Sequence, residues 1–111
     1  MTTKKIDVLE KRIGVKIKDL QRFCVEREIT RLELFGSVLR IDFDEKSDID
    51  IMVTFSANAQ ITLFKLGRYQ REFSELLGRP VDLVMRGAIE QTSNPYRRDE
   101  ILQTAETIYA A

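Results

Sequence analysis

Three aspartates and a Gly-Ser pair are the residues most able to do chemistry. Leu34-Phe35-Gly36-Ser37 is followed, after ten residues, by Asp48-Ile49-Asp50-Ile51 at the head of an apolar run that continues through Met52 and Val53. Side chains alternate across a strand, so Asp48 and Asp50 point one way while Ile49, Ile51 and Val53 point the other. Like charges held that close in a partly buried setting are unfavourable unless cations neutralise them. Hard, oxygen-preferring ions such as Mg²⁺ meet that need. A pair of such ions, about 3.5–4 Å apart, clamps the attacking and leaving oxygens of a phosphoryl or nucleotidyl transfer. Asp82, set between Val81 and Leu83, supplies a third carboxylate. If its strand lies beside the first, Asp82 shares one metal with Asp50 and takes the proton from an acceptor hydroxyl. Gly36-Ser37 provides the phosphate end: glycine lets the backbone approach closely, and a serine hydroxyl with the amides of a helix start can bond phosphate oxygens. Arg40, one turn on, adds a cation.

Each feature has a plainer explanation. An Asp-x-Asp pair often does no more than lead from a turn into a strand, and Gly-Ser turns are common. A turn accounts for Asp48, however, but not for Asp50, which interrupts Ile49, Ile51, Met52 and Val53, and no turn needs Asp82 inside Val-Asp-Leu-Val. Asp42, Asp44 and Glu45 read as a solvated loop, and Ser47 as a turn residue. Arg40 stands evenly between phosphate contact and surface charge.

The elements that must position these residues follow from periodicity. Ile6, Leu9 and Ile13 share a helical face that Gly14 can terminate, and Ile17, Leu20, Phe23 and Cys24 form a second stripe, with Cys24 simply in the core. Arg31–Phe35 alternates, Leu32 and Leu34 against Glu33 and Phe35, and runs into the Gly-Ser turn. Asp48–Phe55 is the next strand. Leu63, Leu66, Phe73, Leu76 and Leu77 recur at helical spacing until Gly78 and Pro80 stop the helix, and Val81–Met85 is a third strand. Asn94 as N-cap and Pro95 at N1 open a last helix whose buried stripe is expected to be Ile101, Leu102, Ala105, Ile108 and Tyr109. Alternating strands and helices predict a mixed α and β fold.

Composition narrows the classes of function. With 111 residues, 43% hydrophobic, the chain has the make-up of one globular domain. Scaling predicts burial of roughly 65% of its unfolded surface. Eighteen basic residues balance eighteen acidic ones, so no large positive field exists to hold a nucleic-acid backbone, and direct nucleic-acid binding is not expected. The chain has no His and one Cys, which excludes Ser-His-Asp triads, Cys-His pairs and the usual soft-metal sites. The lone Cys24, the lack of a membrane-length apolar run and the lack of a leader pattern in Met1 to Lys5 predict a cytoplasmic protein without membrane contact.

Taken together, Gly36-Ser37, Asp48-Ile49-Asp50 and Asp82 resemble the signature of the polymerase-beta-type nucleotidyltransferase superfamily. Within it the chain looks like the minimal nucleotidyltransferase (MNT) group. Leu34–Arg40, Ser47–Asp50, Leu77–Val84 and the stretch from Asn94-Pro95 to Ile108-Tyr109 match in order, from about residue 30 to the C-terminus. The resemblance implies an α+β fold, a small mixed sheet packed by helices, with an N-terminal helical segment, 1–29, packing on a nucleotidyltransferase domain, 30–111. It implies nucleotide binding by Gly36, Ser37 and Arg40, and Mg²⁺ on Asp48, Asp50 and Asp82, with Asp82 as base. It also implies a role: antitoxin of a type VII-like pair, moving AMP from ATP to a tyrosine of a partner HEPN-domain ribonuclease toxin, with which it would form a hetero-oligomer. Many relatives carry a basic residue at the position of Val38 and glycine at that of Ile41, a departure that bears on extra phosphate contacts there.

Other functions remain open on the sequence. A nucleotidyltransferase of the antibiotic-modifying kind needs an acceptor-binding domain that only a partner subunit could supply. A tRNA or polynucleotide enzyme would want a basic tract. A purely binding antitoxin needs no chemistry, but loss of chemistry should erode Asp48, Asp50 or Asp82 first.

Overall fold

The computed structural model describes residues 3–111; Met1 and Thr2, which open the stretch read for a leader, lie outside them. The elements are α1 (Thr3–Ile13), α2 (Ile17–Glu26), β1 (Ile29–Phe35), a 3-10 turn (Gly36–Leu39), β2 (Ile49–Phe55), α3 (Leu63–Leu77), β3 (Val81–Met85), α4 (Arg86–Glu90), α5 (Pro95–Thr104) and β4 (Glu106–Ala110). The helix ends are where local chemistry puts them. Gly14 and Gly78 turn the chain at φ +82° and +69°, a region costly for residues with a Cβ. Thr62 accepts from the Lys65 amide, and Asn94 accepts from the Tyr96 and Arg97 amides, relieving donors that a helix start leaves unpaired.

The four strands form one mixed sheet in the order β3-β2-β1-β4. β1 runs antiparallel to both β2 and β4, whereas β2 and β3 are parallel and joined through α3. The sheet has two unequal faces. On one, Leu32, Leu34, Ile49, Ile51, Val53 and Leu83 meet Leu9, Ile13, Leu20 and Cys24 from α1 and α2, and Tyr69, Phe73 and Leu77 from α3. Phe73 is fully buried, and truncating it to alanine would cost about 3–5 kcal/mol. On the other face a smaller cluster, Phe35, Met52 and Ile101, is joined by Val84, Ile89, Leu102 and Ala105 under α4 and α5. That second face carries Asp50 and Asp82, because they alternate with the core residues of their strands.

The last element corrects one expectation. Ile108 and Tyr109 do pack on the core, but from a strand and not from the last helix, which ends at Thr104. Positions 101, 102, 105, 108 and 109 suit a continuous helical stripe and a helix-then-strand pair equally well, so periodicity alone could not separate them. Pairing decides: Leu32 lies opposite Tyr109 and Leu34 opposite Glu106, satisfying the backbone edge of β1 that a longer helix would have left open. The short helix α4 was not expected. It matters because Arg86, its first residue, donates to both carboxylate oxygens of Glu33 at 2.7 and 2.8 Å, and Arg31 Nε lies 3.2 Å from the same group. Glu33 is therefore buried, not solvent-facing as simple alternation suggests.

Candidate active site

The chain leaves β1 in extended conformation at Phe35 and turns sharply at Gly36, where φ is +74°. A Cβ there would run into the carboxylate of Asp50. The turn is held from two sides. Ser37 Oγ donates to the Asp48 carbonyl at 3.2 Å, and Arg12 Nη1, reaching across from α1, donates to the carbonyls of Val38 and Arg40 at 2.7 Å each. The 40–48 loop is bolted in the same manner. Arg79 Nη1 donates to the carbonyls of Asp44 and Ser47, both at 3.0 Å, and the Phe43 ring lies beneath the guanidinium groups of both Arg12 and Arg79. Ser47 closes its turn by pairing with Asp44, as the sequence suggests.

β2 and β3 then set the carboxylates. Asp50 stands directly opposite Asp82 in the parallel register, and opposite Phe35 in the antiparallel one. Asp48 lies one residue ahead of β2 and is exposed, Asp50 is half-buried and Asp82 is exposed. Burial raises the Asp50 carboxyl above its ordinary value, and the charges of Asp82 and then Asp48 push it further; Arg97 and Arg40 pull it partly back. Among the described residues, no three potential ligands are drawn together into a ready-made metal cage. The donor set, all hard oxygen with its central member burdened by like charge, is the type that Mg²⁺ suits.

A cleft of about 800 Å³ opens beside Asp50. Gly36, Ser37 and Arg40 line one wall, Lys5 and Arg12 of α1 another, and Arg97, Glu100 and Ile101 of α5 a third. The structure thus brings Gly36, Ser37, Arg40 and Asp50 to one cavity. Asp82 stands beside it through its register with Asp50, and Asp48 through its carbonyl's bond to Ser37. Arg40 divides its charge, with Nε 3.4 Å from Asp42. Sequence reasoning missed Arg12 and Arg97. For Arg97 the one available signal was its position, four residues before the buried Ile101 and so on the helix face that turns inward.

The chain is similar to known proteins in sequence and in fold. The nucleotidyltransferase domain family model matches residues 17–107. "Putative protein adenylyltransferase MJ0128" of Methanocaldococcus jannaschii is 41% identical over 75 residues, covering 67% of this chain and 70% of that protein. A solved "putative minimal nucleotidyltransferase" superposes with a TM-score of 0.62 at 29% identity, over 81% of this chain and 86% of its own. The fold is shared as well by a Shewanella oneidensis complex, in which a tri-AMPylated HEPN toxin is bound to its MNT antitoxin. There the TM-score is 0.59 at 15% identity, over 86% of this chain and 70% of that one. No helix among the described residues is long and apolar enough to cross a membrane. With its mixed sheet, its Gly-Ser turn and its family match, the chain belongs to the nucleotidyltransferase domain family and is a nucleotidyltransferase of the minimal type.

Proposed function

We propose that this nucleotidyltransferase moves AMP from ATP to a tyrosine of a HEPN-domain ribonuclease toxin in the cytoplasm, and so acts as the antitoxin of a type VII-like pair. The observation that carries the reading is the register of Asp50 with Asp82 directly beside the Gly36-Ser37 turn. The relative's name supports protein adenylyl transfer, and the shared fold of an antitoxin bound to an AMPylated toxin supports the partner class.

In this reading Gly36 and Ser37 receive the phosphates, with Arg40 beside them. Asp48, Asp50 and Asp82 would hold Mg²⁺, which when bound neutralises the triphosphate and polarises the phosphorus under attack. Asp82, the more exposed of the facing pair, accepts the proton of the incoming phenol. In this reading the partner presents the tyrosine.

Intact-mass spectrometry of the toxin, incubated with the chain, ATP and Mg²⁺, tests this. One or more AMP increments are expected with the wild-type chain and none with Asp82→Asn. An unmodified toxin held silent in a tight complex would replace the reading with antitoxin action by binding alone.

A further inference from the structure

The chain has three tyrosines, and they differ sharply in access. Tyr69 is 5% exposed, its ring 6.0 Å from that of Phe55. Tyr109 is half-buried on β4 and packs on the main core. Tyr96 is 87% exposed, and its ring and hydroxyl meet no partner among the described residues.

The place of Tyr96 is specific. It sits in the first turn of α5, its amide held by Asn94 Oδ1 at 3.1 Å. The next residue, Arg97, lines the cleft beside Asp50, and so do Glu100 and Gln103. Residues four and seven apart share a helix ridge, so Tyr96 heads the ridge that continues as Glu100 and Gln103. Tyr96 is not itself part of the lining, but it adjoins Arg97, which is, at the α5 edge of the cleft. α5 is anchored through Ile101 and Leu102 in its C-terminal half and Ala105 just past its end, and its first turn is exposed.

We infer that Tyr96 is an acceptor for the chain's own adenylyl transfer, a self-modification site at the mouth of the cleft. The inference rests on the nucleotidyl-transfer reading above and takes the same acceptor chemistry. Tyr96 Oη forms a bond to the α-phosphorus of ATP, the bond from that phosphorus to the bridging oxygen of the β-phosphate breaks, and pyrophosphate leaves with the electron pair. The phenolic proton passes to the Asp82 carboxylate. The product is a tyrosyl-AMP ester on the residue that precedes Arg97. An adenylyl group there crowds the mouth through which any protein acceptor must enter, so modification should slow transfer to a partner.

The test uses the purified full chain with ATP and Mg²⁺ and no partner, read by intact mass and by mapping of the tryptic peptide 87–97, which contains Tyr96 as its only tyrosine. Wild type should gain a single AMP on that peptide; Tyr96→Phe, which keeps the ring, should gain none, and Tyr109→Phe should label as wild type does. Thermal shift with ATP and Mg²⁺ runs alongside. A wild-type chain that is stabilised by Mg-ATP yet gains no AMP overturns the self-modification and leaves the nucleotide site standing. Undiminished label in Tyr96→Phe overturns the assignment to Tyr96. A chain neither stabilised nor labelled overturns both readings.

Discussion

Gly36 and Asp50 occupy adjoining space with no room for a side chain between them: a Cβ built on Gly36 overlaps Oδ2 of Asp50 and lies 3.3 Å from its Cγ. The Gly36-Ser37 turn and the carboxylate strand are therefore one packed unit. Gly36→Ala must both adopt a left-handed backbone at φ +74° and displace the carboxylate. A stability loss of about 1–2 kcal/mol is expected from the backbone alone. Because the displaced group is the central aspartate, adenylyl transfer should fall far more than stability does. Urea melts set against transfer rates check this; a parallel loss in both would make the glycine purely structural.

Asp50 gives the fold a pH signature. Its carboxyl is raised above the ordinary 3.8, by burial first and then by Asp82 and Asp48. Between 3.8 and the raised native value the folded chain holds a proton that the unfolded chain has released, so stability falls as pH rises through that window. Asp50→Asn should abolish this fall and raise stability at neutral pH, while removing activity. Mg²⁺ should stabilise wild type at neutral pH and leave Asp50→Asn nearly unmoved. Denaturation across pH 3 to 7, with and without the ion, separates these cases.

Cys24 gives the opposite end of the scale. Burial pushes its thiol up to about 12, Arg27 pulling slightly the other way, so the native chain keeps the proton that an unfolded chain loses near 9.0. Stability should accordingly decline as pH rises above that value. A disulfide-exchange reagent should react at neutral pH only as fast as the chain opens. Prompt stoichiometric reaction in the native state would mean that the α2 face is not packed as described.

How much of this was legible in the sequence depends on how local each cause is. Gly78, Asn94-Pro95 and the alternation around Asp50 act within a few residues, and each element they predict is present. β4 was not legible, because whether Ile108 belongs to a helix or a strand is settled by the open edge of β1, some seventy residues away. The burial of Glu33 is illegible for the same reason: it depends on Arg86, which no spacing rule connects to it. At the site, close backbone approach is a generic reason for glycine at position 36. The structure supplies the particular one, Asp50 behind it. Arg12 carries no motif at all, and its bonds to the Val38 and Arg40 carbonyls exist only once α1 folds back over the turn.

The Glu33–Arg86 pair tests the distal half of the same sheet face. Glu33 is 2% exposed, and a carboxylate left there without its main partner is strongly unfavourable. Arg86→Met should destabilise by roughly 3 kcal/mol, the lower part of the range for breaking a buried pair, since Arg31 stays within 3.2 Å. The double replacement Glu33→Leu with Arg86→Met should recover most of that loss, because it removes the uncompensated charge and not merely its partner. Equal instability of the single and double variants, measured by denaturant titration, would show that packing of α4 and not charge pairing dominates.

Arg97 is the residue of the cleft for which charge and structure are most cleanly separable. Its side chain is exposed and joins no ion pair among the described residues, so Arg97→Ala should leave the melting temperature within about a degree of wild type, as surface substitutions usually do. Yet it lines the cavity with Ser37 and Asp50, where a triphosphate would meet it. A hydrogen bond to a charged group contributes about 1.5–3 kcal/mol, so affinity for a non-hydrolysable ATP analogue with Mg²⁺ should fall on the order of tenfold. Arg97→Lys should restore part of the loss, since it keeps the charge but not the planar fork. The gap between wild type and Arg97→Ala should narrow as salt rises, because an exposed charge is screened within about 10 Å at 0.1 M. Calorimetric titration at two salt concentrations reads all three effects. Unchanged affinity in Arg97→Ala, with transfer still reduced, would place Arg97 instead as a positioning residue for Asp50, acting by opposing the repulsion that raises its carboxyl.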